Sequence, residues 1–204
     1  MSTPKGSSSR RRSAPRKGDL REAAILDAAE RQLCDGGADG MTVETIATAA
    51  GITRGALYFY FGSKNDVLAA LVERTAAAVV ADIEGAAEST PDDPREALRQ
   101  GIDRTARSWA EHGAVMRVAL ELSPTVSKID AGWQAALAAT GRATRSALVR
   151  GGVPDNRGPR GARAISAALV SMTERHFYLA SKHGTSLTDT AQTLTHIWLA
   201  VLPR

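Results

Sequence analysis

Apolar positions in this chain recur every three to four residues, and nowhere does an Asn-Gly or Asp-Gly turn sit between two alternating runs. Ile25, Ala28, Ala29 and Leu33 form the first helical stripe, from Asp19 to a stop at Gly36-Gly37. Thr42 can cap a short helix whose Val43, Ile46, Ala47 and Ala50 face inward, and Gly51 ends it. Thr53 can cap another over 54–61, which Gly62 breaks. Ser63-Lys64-Asn65-Asp66 is a near capping box for a long helix carrying Val67, Leu68, Leu71, Val72 and Val79. Pro91 and Pro94 open a helix to about His112, and Gly113 separates off a shorter piece ending near Pro124. Further helices are predicted over 129–149, 162–182 and 186–202, with a surface loop at 151–161 rich in Gly and Pro. The pattern predicts an all-α fold of about nine helices.

Composition sharpens this. Of the apolar residues 37 are alanine, and only 4% of the chain is aromatic, which favours closely packed helices over a sandwich or barrel. A single cysteine, Cys34, excludes an internal disulfide framework and a cysteine zinc site. No run approaches the roughly 18 apolar residues of a membrane span. The histidines at 112, 176, 183 and 196 show no metal-ligand spacing, and no phosphate loop or nucleophile elbow appears. An enzyme, a metal and a cofactor are therefore not expected.

The net charge of +4 is unevenly placed. Residues 1–18 hold Lys5, Arg10, Arg11, Arg12, Arg16 and Lys17 and no acid, a charge of +6, leaving −2 for everything from Asp19 onward. The chain thus divides into a basic tail expected to be disordered (1–18), a compact N-terminal unit (19–64) and a helical remainder (65–204). The tail has no apolar segment after its arginines, so it is not a secretory signal, and its Pro and Gly residues oppose an amphipathic transit helix.

Three short helices with turns at 36–37 and 51–52 make a helix-turn-helix unit, whose third helix would enter the DNA major groove. In that helix Leu57 and Phe61 are one turn apart and pack inward on Leu33 and Ile46. Arg54 and Tyr58 share another face, and Phe59 lies beside it, toward the groove. Gly55 and Ala56 are small and let the backbone approach the bases. Arg54 suits bidentate readout of guanine, about 1–3 kcal/mol of discrimination. Lys64, in the first turn of the next helix, can hold a phosphate together with that helix terminus. Thr42 and Thr53 are N-caps that can also donate to phosphates. Glu44 either complements the helix dipole or accepts from a cytosine amino group.

These residues carry a resemblance. Ile25-Leu26-Asp27-Ala28-Ala29, Leu33, Gly37, Thr42 to Ala47, and the run from Ala50 through Arg54, Tyr58, Phe59, Tyr60 and Phe61 to Lys64 resemble the DNA-binding domain of TetR-family transcriptional regulators. Met172-Thr173-Glu174-Arg175 with Thr195-His196-Ile197-Trp198 is similar to the EthR-like branch of mycobacterial repressors. The resemblance implies that Tyr58 and Tyr60 touch phosphates or bases, that an effector binds among the C-terminal helices, and that the last two helices form a homodimer. On that basis Trp109, Met116, Trp133, Met172, Tyr178 and Trp198 are expected to line an apolar pocket, with Thr173 and Glu174 as polar anchors. Val170 and Thr173 stand where that branch would suggest more polar amides. Ala164, Ala168, Ser171 and Arg175, with Leu187, Ala191, Leu194 and Val201, are the expected dimer interface. Glu174-Arg175-His176 interrupts an apolar helix and reads first as an ion pair at that interface.

Between Asp19 and Lys64 only Arg21, Arg31, Arg54 and Lys64 oppose Asp19, Glu22, Asp27, Glu30, Asp35, Asp39 and Glu44, a net of −3. Four cations neutralise few phosphates, so Arg10, Arg11, Arg12, Arg16 and Lys17 are expected to supply the missing electrostatics along the backbone or an adjacent minor groove. A tail that merely aids solubility is the other reading. The sequence therefore predicts a bacterial, cytoplasmic, nucleoid-associated repressor. It would bind a near-palindromic double-stranded operator as a homodimer and be released by a small apolar effector. A DNA-binding regulator without a ligand, controlled by a partner or by abundance, is the alternative.

Overall fold

The computed structural model describes residues 17–87 and 92–203, and among them it contains eight helices and no strand. They are α1 (Lys17–Gly36), α2 (Val43–Ala49), α3 (Arg54–Tyr60), α4 (Lys64–Ala87), α5 (Pro94–Leu122), α6 (Ser127–Arg150), α7 (Ala162–His183) and α8 (Leu187–Ala200). Pro91 and the tail residues Arg10, Arg11, Arg12 and Arg16 lie outside the described residues. Lys17 and Gly18, expected in the tail, are instead the first residues of α1.

Local chemistry sets the ends. Gly37 and Gly51 follow α1 and α2 with φ of +71° and +66°, a left-handed conformation that costs glycine nothing and other residues about 1 kcal/mol or more. Asp93 caps α5 by accepting from the Arg95 N–H, and Pro94 occupies the first turn, where its missing donor is not needed.

The two helices expected on either side of Gly113 are one, α5, bent at His112, whose φ and ψ of −121° and 17° leave the helical region. This merger turns nine into eight. Gly113 does not end the helix; it lets another helix close in. A Cβ there would lie 2.9 Å from Ser181 Oγ of α7.

Helix α1 packs on α2 and α4, and α2 on α3, while α4 to α8 build the larger bundle, with α5 packed on α4, α6, α7 and α8 and touching α1. Leu33, Ile46, Leu57, Val67, Leu68 and Leu71 are all buried in one core, each about 1.5–3 kcal/mol of favourable burial. The division expected after residue 64 therefore falls at the first residue of a helix whose next two turns complete the N-terminal core.

Candidate functional site

Two small hydrogen-bonded knots orient the N-terminal helices. Thr42 Oγ1 accepts from the Thr45 N–H at 3.1 Å, and Thr45 Oγ1 accepts from the Thr42 N–H at 3.0 Å, a reciprocal cap at the start of α2. Thr45 Oγ1 also donates to Gln32 Oε1 at 2.9 Å, while Gln32 Nε2 donates to the Thr45 carbonyl at 2.8 Å, so α1 holds α2 in place. Neither Thr45 nor Gln32 stood out in the sequence, because a capping box is usually signalled by Glu or Gln at the third position. At α3, Thr53 Oγ1 accepts from the Ala56 N–H at 3.1 Å.

Fixed this way, α3 turns Leu57 fully inward and presents an aromatic and cationic surface outward. Phe59 is 85% exposed and Tyr58 44% exposed, both unusual for rings of this size on a folded surface. Phe59 is supported edge-on by Tyr60, with ring centroids 5.3 Å apart. Arg54 Nη2 donates to Tyr58 Oη at 3.3 Å, and the guanidinium carbon lies 5.5 Å from that ring. The hydrogen bond to Tyr58 raises the Arg54 pKa further above its ordinary value. Arg54 is thereby held as a pre-ordered donor with most of its N–H groups free. Gly55 is exposed, so the backbone of α3 can be approached closely. Thr42, Thr53 and Glu44 are exposed on the same unit. Lys64 differs from expectation in one respect. Its ammonium donates to the Ala38 carbonyl at 3.2 Å, which ties α4 to the α1–α2 turn and leaves two protons for an anion. The side chain of Lys17 and the arginines before it lie outside the described residues.

Three polar links join this unit to the bundle. Arg74 on α4 bridges Asp27 and Glu30 of α1, each at 2.7 Å. His112, at the bend of α5, makes a hydrogen bond of 3.0 Å through Nδ1 with the other oxygen of Glu30. Lys128, opening α6, donates to Asp66 in the first turn of α4 at 2.7 Å. That bond, and a second from the Ser63 hydroxyl, hold the Asp66 carboxyl below its usual value.

The second feature is a cavity of about 640 Å3 within the bundle, walled by α4, α5, α6, α7 and Trp198 of α8. Of the residues expected to line it, Trp109, Met116, Trp133, Thr173, Glu174 and Trp198 do. Met172 and Tyr178 do not. Met172 packs half-buried against the core, about 100° round the helix from Thr173. Tyr178 donates to Glu121 at 2.9 Å, with its ring between Arg175 and Lys182, both at 5.2 Å. The sequence reading missed the long wall from α6, where Ala136, Ala139, Thr140, Ala143 and Ala147 leave the space a larger side chain would fill. Small residues on one face of that helix were the available signal.

The polar groups of the cavity are satisfied in pairs. Trp198 Nε1 donates to Thr173 Oγ1 at 3.0 Å, and Trp133 Nε1 donates to Glu174 Oε1 at 2.6 Å. Burial raises the Glu174 carboxyl above its usual range, against the opposing pull of Trp133. Within the single chain Glu174 accepts from Trp133 and Arg175 lies over the Tyr178 ring, so the pair expected at a subunit interface does not form inside one chain. On the outer face of α7, Ala164, Ala168, Ser171 and Arg175 form an exposed stripe. Leu187 and Val201 are half-buried, whereas Ala191 and Leu194 are already covered within the chain and so back that region rather than present a surface.

A helix-turn-helix unit with an unpartnered third helix, joined to a bundle that encloses an apolar cavity, defines a DNA-binding regulator. Residues 25–71 match the model of bacterial regulatory proteins of the tetR family. The chain is 37% identical over 207 residues to the HTH-type transcriptional regulator EthR of Mycolicibacterium smegmatis, covering 97% of this chain and 91% of that one. Among solved structures, the fatty acid degradation regulator FadR from Bacillus halodurans superimposes with a TM-score of 0.75 at 21% identity, over 91% of this chain and 97% of that one. FadR from Bacillus subtilis, solved in complex with stearoyl-CoA, gives a TM-score of 0.68 at 19% identity, over 89% of this chain and 99% of that one. The chain belongs to the TetR family of transcriptional regulators, and within it to the EthR type.

Proposed function

We propose that this protein is a repressor that binds a near-palindromic operator as a homodimer and releases it when a small effector occupies the bundle cavity. The observation that carries the reading is the outward face of α3, where Arg54, Tyr58 and Phe59 stand exposed on a helix whose opposite side is locked into the core. Exposed rings at such density are costly in water and find a use in a groove or on a backbone. Arg54 reads guanine, the tyrosine hydroxyls and Lys64 engage phosphates, and Gly55 lets the helix sit close. Two copies, joined through the stripe Ala164, Ala168, Ser171 and Arg175 with α8, would space their α3 helices by about one DNA turn or a multiple of it.

The cavity supports effector control. It is large enough for a ligand of ordinary size, mostly apolar, and shares α4 and α5 with the links to Glu30 and Asp27. An effector that binds one arrangement of these helices better than another by about 1–3 kcal/mol is sufficient to shift operator affinity. A regulator of this kind works in the bacterial cytoplasm on the nucleoid.

The test is a gel shift or anisotropy titration with DNA from the gene's own upstream region carrying an inverted repeat. Tight, sequence-dependent binding is expected, and failure to bind at low salt would overturn the proposal. Repeating the titration with residues 1–16 deleted probes the tail. The slope of log K against log salt should fall by about 0.9 for each phosphate contact the tail makes, and an unchanged slope and affinity would remove the tail from the mechanism.

A further inference from the structure

The effector's chemical class can be drawn from the cavity itself, on the basis that the cavity is the effector site. From Trp133 to Arg150 its α6 wall runs about 25 Å at 1.5 Å per residue, so the space suits an elongated molecule. The two ends differ in charge. Toward the Arg150 end, Arg104, Arg142 and Arg150 are offset by Asp82, Glu84 and Asp92, with Arg104 and Asp82 3.9 Å apart. That end offers no net charge to an anionic head group.

Toward the other end a single ionisable group remains, Glu174, set among Trp109, Met116, Trp133 and Trp198. Its Oε1 accepts from Trp133, and Oε2 makes no hydrogen bond among the described residues. No cation pairs with it there, since its neighbour Arg175 is turned out onto Tyr178. A half-buried carboxylate with one neutral donor is an expensive arrangement, and burial raises its pKa accordingly. An incoming cation relieves that cost, and an incoming anion adds to it. Tryptophan faces around the site favour the same charge.

We propose that Glu174 is the recognition group of the cavity and that the effector is a cationic amphiphile, an extended apolar body bearing an ammonium that docks on Glu174 Oε2 between the tryptophans. The arrangement selects by charge at one end and by length along α6.

Intrinsic fluorescence provides the measurement, because all three tryptophans of the chain, Trp109, Trp133 and Trp198, line the cavity. The full-length protein is titrated below micelle-forming concentrations with dodecylamine, dodecanol and dodecanoate, probes of one length and three charges. Dodecylamine is expected to bind about ten-fold or more tighter than dodecanoate, a difference of about 1.4 kcal/mol, with dodecanol between. In Glu174→Gln the amine and carboxylate affinities should come within about three-fold of each other, while dodecanol binding is retained. Trp133→Phe keeps the carboxylate and removes its donor, so it should preserve the amine preference and guards against a Gln variant that does not fold. Equal binding of all three probes, tighter binding of dodecanoate, or an amine preference that survives Glu174→Gln would overturn the proposal and leave the cavity as an effector site. No binding of any probe by protein with intact helical circular dichroism would overturn the effector site itself and this inference with it.

Discussion

The two ends of the molecule use the same scarce residue type in opposite ways. On α3, Phe59 and Tyr58 point into solvent, whereas around the cavity Trp109, Trp133 and Trp198 are each less than a tenth exposed. Exposure at the first end leaves these rings largely in water in the isolated chain. Burial at the second stabilises the chain directly and also shapes a void. Position on a helix therefore says more about these rings than their hydrophobicity does. The α3 rings can be exchanged at little expense to folding, and the cavity rings cannot.

That contrast can be broken most severely at Trp109, which stacks on Phe177 with centroids 6.3 Å apart. Trp109→Ala should destabilise the fold by about 3–5 kcal/mol, measured by urea denaturation, because the removed ring enlarges an existing space. Phe59→Ala should shift the same curve by less than about 0.5 kcal/mol yet weaken operator binding clearly. If both variants lose the same stability, the division between the two ends fails. Next in size, Arg54→Ala should cost about 1–3 kcal/mol in operator affinity and relax the preference at one base pair of each half-site, read by anisotropy on a set of point-substituted operators. A uniform loss across all operators would reassign Arg54 to the phosphates.

The smallest effect is at Glu174 and depends on pH. Its carboxyl is raised in the folded chain by burial, so the protonated form is the better fitted one. Its contribution is fully favourable below the ordinary carboxylate range and is lost as pH rises through the raised value. Glu174→Gln should therefore unfold at slightly higher urea than the unmodified protein at pH 7.5, and the gap should close toward pH 4. A variant that is less stable at neutral pH would mean that the charge on Glu174 has a partner.

Much of the N-terminal unit could be read from sequence because each element there announces itself by local chemistry: Thr42 and Thr53 as caps, Gly37 and Gly51 as stops, Leu57 and Phe61 one turn apart. The bundle was less legible, for reasons that are not local. Gly113 looks like a helix stop in one dimension, but its role is to admit Ser181 of another helix. Tyr178 has the right composition for a pocket, yet Glu121, 57 residues away, and Lys182, one turn on, hold its hydroxyl in a polar cluster outside the cavity. Ala191 and Leu194 have the small and apolar character of a subunit interface and are spent on the chain's own core. The α6 wall was missed because its contribution is empty volume, which no side chain spells out.

The bend in α5 has a mechanical consequence. Helices α5 and α7 meet at Gly113 with no space for a methyl group, and Arg117 adds a 2.7 Å hydrogen bond to the same Ser181 hydroxyl. That contact acts as a bearing. Within one helical turn on either side of it lie Trp109 and Met116, which line the cavity, and beside it lies His112, which holds Glu30 of α1. The cavity wall and the tie to the helix-turn-helix unit thus share one short lever, and the distance between them shrinks to a single turn of one helix.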